Sequence, residues 1–135
     1  MSIALIRAAL ESALSGMTPP LATAWENAPY TPVAGTPYQA VFLLMARPGK
    51  MDMGQQMRRE QGMFKVVLRY PLNAGPAAAQ ARAELIRSTF YAGRALTASG
   101  VTVTIDGTPE IAPAAVDGDR YAMPVNVFFY SNIGG

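Results

Sequence analysis

The 135 residues include no histidine and no cysteine, so the side chains that supply most nucleophiles, proton shuttles and transition-metal ligands near neutral pH are missing. Hydroxyls are plentiful, but no imidazole exists to activate one. A serine–lysine pair would have to use Lys50 or Lys65, and neither stands in an SxxK arrangement. Asp106 and the run Asp117-Gly118-Asp119 offer carboxylates. Two on a turn fall short of the spaced oxygen ligands of a calcium loop, and aspartate before glycine is ordinary turn chemistry. Neither GxxxxGK[ST] nor GxGxxG occurs, so no phosphate-cradling loop is read. Carboxylate-pair catalysis needs a cleft assembled from distant residues, which spacing alone does not reveal. No catalytic residue, cofactor or metal ligand is assigned, and the chain is not expected to be an enzyme.

The chemistry that remains is recognition. Nine of the eleven cations are arginine, whose planar, weakly hydrated fork suits protein contacts better than lysine does. Charged residues make up only 15% of the chain, against ~25% in ordinary soluble domains, so part of the surface is expected to be covered by neighbours. Met45, Met51, Met53, Met57 and Met63 cluster beside Arg47, Arg58 and Arg59. Methionine moulds to varied partners and arginine adds directional hydrogen bonds. We read Arg47, Met51, Met53, Met57, Arg58 and Arg59 as candidate interface residues on a hairpin arm. Arg82 joins them: it falls on the packing side of a helix and must snorkel or find a partner. That partner is an acidic residue of a neighbouring subunit or a carboxylate of the same chain, the latter slightly favoured. A net charge of +2 is too small to argue nucleic-acid binding. Trp25, Tyr30 and Tyr38 have no cation between Ala22 and Ala46 to build a base-stacking platform, so they are assigned to packing.

The elements that must position these groups follow from periodicity. Ser2 can cap a helix to about Met17 whose stripe is Ile3, Ile6, Leu10, Ala13, Leu14 and Met17. Thr18-Pro19-Pro20 ends it. Arg7 and Glu11 interrupt its apolar run, so no signal peptide is read, no stretch approaches a membrane span, and a soluble protein is expected. An extended segment covers Ala22 to Glu26, and Asn27 to Pro37 reads as an ordered loop. Tyr38 to Met45 is a strand with Ala40, Phe42 and Leu44 on one face and Val41, Leu43 and Met45 on the other. Apolar on both faces, it should be central or covered by a partner. Arg47 to Arg59 forms the arm. Glu60 to Tyr70 alternates cleanly, with Phe64, Val66, Leu68 and Tyr70 inward. Pro76 starts a helix to about Tyr91. Three strands follow, Val101 to Ile105, Pro109 to Val116 and Tyr121 to Tyr130, joined by hairpin turns at Asp106-Gly107 and Asp117-Gly118 in which both residues are left-handed. Pro113 and Pro124 suggest edges or bulges, and Gly134-Gly135 should fray. The sum is a single domain over 1–135 of α+β class, with two helices on one face of a mainly antiparallel sheet and a long projecting hairpin arm.

The order of several segments resembles the phage tail-terminator-like family. The opening helix Ile3 to Leu14 leads to Ala24-Trp25-Glu26-Asn27, and Gly35-Thr36-Pro37-Tyr38-Gln39 enters the first long strand. Then come Tyr70-Pro71-Leu72 with Gly75-Pro76, the helix Ala81-Arg82-Ala83-Glu84-Leu85-Ile86-Arg87, and Gly118-Asp119-Arg120-Tyr121 ahead of Pro124-Val125. The resemblance covers nearly the whole chain and brings no catalytic residues. It implies a ring-forming subunit, commonly hexameric, that sits on the end of the tail tube, stops polymerisation and presents a head-joining surface. Its implied partners are copies of itself, the tail tube protein and a head-completion or connector protein, with no membrane and no sequence-specific nucleic acid. Its implied places are the virion tail and the host cytoplasm during assembly. A head–tail adaptor or minor tail protein of similar fold is the nearest alternative; a small-molecule binding domain or hydrolase is the alternative of a different class.

Overall fold

The computed structural model describes residues 2–50 and 57–134. Along the chain run α1 (Ser2–Ser15), β1 (Thr23–Ala24), β2 (Tyr38–Met45), β3 (Gly49–Lys50), β4 (Met57–Pro71), α2 (Ala77–Thr89), β5 (Ala95–Ala98), β6 (Val101–Ile105), β7 (Glu110–Ile111), β8 (Ala115–Asp117) and β9 (Arg120–Gly134). The strands make one sheet in the order β1-β2-β4-β9-β6-β5, with β3 added to β4 and both β7 and β8 added to β9. The β1–β2 pair is parallel and the pairs β2–β4 and β4–β9 antiparallel, so the sheet is mixed and the class is α+β.

Alternation decides what the sheet buries. Val41 and Leu43 on β2, Phe64, Val66 and Leu68 on β4, and Met123, Val125, Val127 and Phe129 on β9 all point into one core. The helices meet that core with residues spaced three or four apart. These are Ile6, Leu10 and Leu14 from α1, and Ala79, Ala83 and Ile86 from α2. Helix α1 touches β5 and β6, while α2 touches β4 and β9. Phe64 meets Phe90, just past α2, with ring centroids 6.1 Å apart. Ile3 departs from the expected stripe and is exposed, the core contacts of α1 starting at Ile6.

The turns differ from expectation in instructive ways. Strands β6, β7 and β8 all pair with β9, one after another. Asp106-Gly107 therefore kinks a run lying along a single partner and joins no hairpin. Its glycine is at φ +82°, and that left-handed residue lets the run step past the insertion without losing β9. The Asp117-Gly118 hairpin does form, with Asp117 opposite Arg120. Of its turn residues only Gly118 has positive φ, the type II′ pattern and not the fully left-handed one. The turn with two left-handed residues is Ser99-Gly100, which joins β5 to β6; strand β5 was not anticipated. Pro124 lies on β9 between the residues paired with β7 and those paired with β8; its carbonyl accepts from the Ala112 N–H at 2.9 Å, and it has no amide to give in return. Gly134 does not fray: it pairs with Met57.

Strand β2 is neither central nor wholly covered, since only the two-residue β1 lies beyond it. Past β1 its free edge is closed by a side chain. The Leu43 N–H donates to Glu26 Oε1 at 2.9 Å, and Arg7 Nη1 on α1 reaches the same oxygen at 3.1 Å. A carboxylate thus stands in for the missing strand and ties the Trp25–Glu26 segment to helix and sheet. The Leu43 hydrogen bond, and then Arg7, hold the Glu26 carboxyl below its usual range, against some desolvation. A depressed pKa contributes stability that is present above the unfolded value and lost as pH falls through the folded one. Urea unfolding at pH 7 and pH 3 should therefore show a smaller acid loss in Glu26→Gln than in the unsubstituted chain. Equal losses would mean that the latch contributes nothing.

Candidate functional site

The second face of the sheet is half covered by its own chain. Arg120 is only 3% exposed; it donates to the carbonyls of Val33, at 2.8 Å, and Thr36, and lies 5.0 Å from the Tyr38 ring centroid. Tyr30 packs on Tyr38 at 5.0 Å. Together they hold the loop from Asn27 to Pro37 over one end of β2. Tyr30 and Tyr38 pack as expected, although Arg69 also approaches Tyr38 from β4.

The other end of that face is bare. Phe42, Leu44 and Phe128 are 41%, 46% and 40% exposed. Leu44 stands opposite Met63, which stands opposite Phe128, so the three form a row across β2, β4 and β9. Beside them lies a groove of about 390 Å³ that Asp106 borders. The Asp106 N–H donates to the Phe128 carbonyl at 2.8 Å, while its exposed carboxylate meets no donor among the described residues.

At the same end lie the described residues of the predicted arm, 47–50 and 57–59. Met45 opposes Gly62 and Gly49 opposes Arg59, leaving one extra residue on the first strand, a bulge. A Cβ on Gly62 would stand 2.3 Å from the Leu44 carbonyl oxygen, so only glycine fits there. Beyond the bulge β3, β4 and β9 run side by side, with Arg58 opposite Lys50 and Ile133. Of the predicted interface residues, Arg47 is exposed, and its carbonyl accepts from Gln61 Nε2. Arg59 is engaged within the chain, donating to Asn132 Oδ1 at 3.1 Å and lying 4.2 Å from the Tyr130 ring centroid. Met57 and Arg58 begin β4; Met51 and Met53 lie outside the described residues.

Arg82 lies elsewhere, at the Tyr70 end of β4. It is 6% exposed, on the same helical face as Ala79, Ala83 and Ile86. Contrary to the favoured expectation, its hydrogen bond goes to no carboxylate of the same chain among the described residues: Nη1 donates to the Pro19 carbonyl. Nε and Nη2 are buried without a hydrogen-bond partner among the described residues. Burial pushes the Arg82 guanidinium below its usual range and the neighbouring Tyr70 hydroxyl above its own. Each unmatched buried donor costs about 1–3 kcal/mol. Over this residue opens a groove of about 350 Å³ walled by Pro19, Pro20, Leu21, Tyr70 and Leu85. Residues 57–59 and Arg82 therefore lie at opposite ends of β4. Phe128 and Arg120 escaped the sequence reading. The adjacent Phe128-Phe129 pair was the available signal for one; nothing local marked the other, whose partners are more than eighty residues away.

These features are contact chemistry: exposed apolar side chains, a carboxylate and a guanidinium with unused donors. Among the described residues no group of three metal-binding side chains converges. An uncompensated buried cation is weak support for a fold. Arg82→Met should therefore keep or raise the melting temperature, and a clear fall would show that its bond to Pro19 is structural.

Comparison with known proteins gives the family. The sequence matches the family described as Phage tail terminator protein over residues 5–129. A solved structure superposes with a TM-score of 0.79 at 24% identity, covering 100% of this chain and 98% of the other, a likeness of fold. No curated relative matches at a significant level.

Proposed function

Because the chain belongs to the phage tail terminator protein family, we propose that it ends the tail: copies close into a ring on the tail tube, block further subunit addition and offer the upper surface to the head. A role in phage tail assembly follows from the family itself. The ring, taken as a hexamer, the tube protein and a head-completion or connector protein as partners, and passage through the host cytoplasm are our reading. The observation that carries it is a family match spanning almost the entire chain.

The surface fits that work. With both helices committed to one core, the opposite face keeps Phe42, Leu44 and Phe128 for neighbours. An isolated subunit gains nothing from leaving three large apolar side chains on one face beside water. The hairpin extended by β3, β4 and β9 starts next to that row, and we assign it the projecting arm that grips a neighbour or the tube. Methionines at 51, 53 and 57 then meet a surface whose shape varies as the ring closes.

Negative-stain microscopy of purified tail tubes mixed with the protein should show a cap at one end only. Replacing Met51, Met53 and Met57 together with serine should weaken capping about tenfold or more, a difference of about 1.4 kcal/mol, without changing the melting temperature. Decoration along the tube walls, or capping indifferent to the triple substitution, would count against ring and arm respectively.

A further inference from the structure

We propose that Asp106 of one copy enters the Arg82 groove of the next, so that this single pair joins subunits head to tail. The contact rests on the tail-terminator reading for its purpose, but not for its chemistry.

Two loose ends carry it. Nε and Nη2 of Arg82 form the side edge of the guanidinium, the parallel N–H pair that grips a carboxylate bidentately. That edge is unpartnered among the described residues, in a side chain that is 6% exposed and lines the groove. The other loose end is Asp106. Every other described acidic side chain has a cation, an amide or another partner within its own chain. Asp106 has none, and it stands at an exposed kink with Phe128 beside it.

The two cannot meet within one molecule. Ile105, before Asp106, lies opposite Phe129, which lies opposite Gly62 on β4. Tyr70, which walls the Arg82 groove, is further along that same strand, roughly 25 Å away at ~3.3 Å per residue. A knob at one end of a sheet and its complement at the other make a heterologous contact, which repeats from copy to copy until it closes. The surroundings match as well: an apolar flank of Leu44 and Phe128 accompanies the carboxylate, and Pro20 and Leu21 accompany the cation. Both halves being on this chain, the occupant is a second copy. As the carboxylate arrives over Pro20 and Leu21, the guanidinium turns its free edge to meet it.

The test uses Asp106→Ala and Arg82→Met, each checked for an unchanged melting curve and sized by sedimentation velocity at concentrations where the unsubstituted chain associates. Either variant alone should self-associate at least tenfold more weakly. Mixed, they should form a one-to-one dimer and nothing larger, since one retains the groove and the other the aspartate. Asp106→Ala assembling normally, or a mixture that stays monomeric, would overturn the contact. Loss of assembly in Asp106→Ala with none in Arg82→Met would overturn it too, assigning the aspartate to another cation such as Lys65. If the variants complement each other but the unsubstituted chain never caps a tube, the contact stands and the tail-terminator reading falls. If tubes are capped normally by both variants, the reverse holds.

Discussion

The β4–β9 ladder is the constraint on which the rest depends. It runs without a break from Met57 opposite Gly134 to Pro71 opposite Arg120, and every other element is placed by it. Its inner alternation gathers both helices into one core. Its outer alternation leaves Met63 and Phe128 side by side. Its two ends set the two candidate interaction regions apart, residues 57–59 and Asp106 at one, Arg82 at the other. A slip of one residue would exchange the two faces, exposing Phe64 and Val66 and burying Lys65. The Gly62 bulge fixes the register of the neighbouring strand, because a side chain there would strike the Leu44 carbonyl.

How far this was legible in the sequence depends on the range of the interaction involved. Strand β2 and the inward set Phe64, Val66 and Leu68 follow from local periodicity, and the structure places them as expected. Helix α2 was legible because Pro76 stands at its start. Misreadings arose where a local signal had a distant cause. Asp106-Gly107 carries hairpin chemistry, yet the strands on both sides prefer β9 to each other. Ser99-Gly100 carries less obvious turn chemistry and does make a hairpin. Gly134, expected to be free, is held by a partner at the far side of the arm. The candidate interface was only half legible: apolar residues on both faces of β2 flagged Phe42 and Leu44, whereas Phe128 acquires meaning only from its register with Met63.

The arginines change meaning once their partners are seen. Composition suggested cations turned outward to other proteins. In the fold Arg7, Arg59, Arg69 and Arg120 bind side chains or carbonyls of their own chain, mostly to fasten loops and strand ends to the sheet. A compact planar donor set fastens several acceptors at once, which a lysine could not do. Among the described side chains two arginines stand apart: Arg47, exposed just before β3, and Arg82, buried with half its fork unused. What distinguishes a working surface here is therefore less the number of cations than which of them the fold leaves unsatisfied. In the proposed role the molecule acts by fit, and a charged fraction of 15% suits a subunit enclosed by others.

Tube growth in solution puts that claim to the most direct trial. Purified tail tube protein, induced to polymerise and followed by light scattering, should stop elongating when this chain is added at one ring per tube end, far below the tube-subunit concentration. Elongation that slows only in proportion to bulk concentration, or that continues unchanged, would contradict an account in which the chain terminates tails.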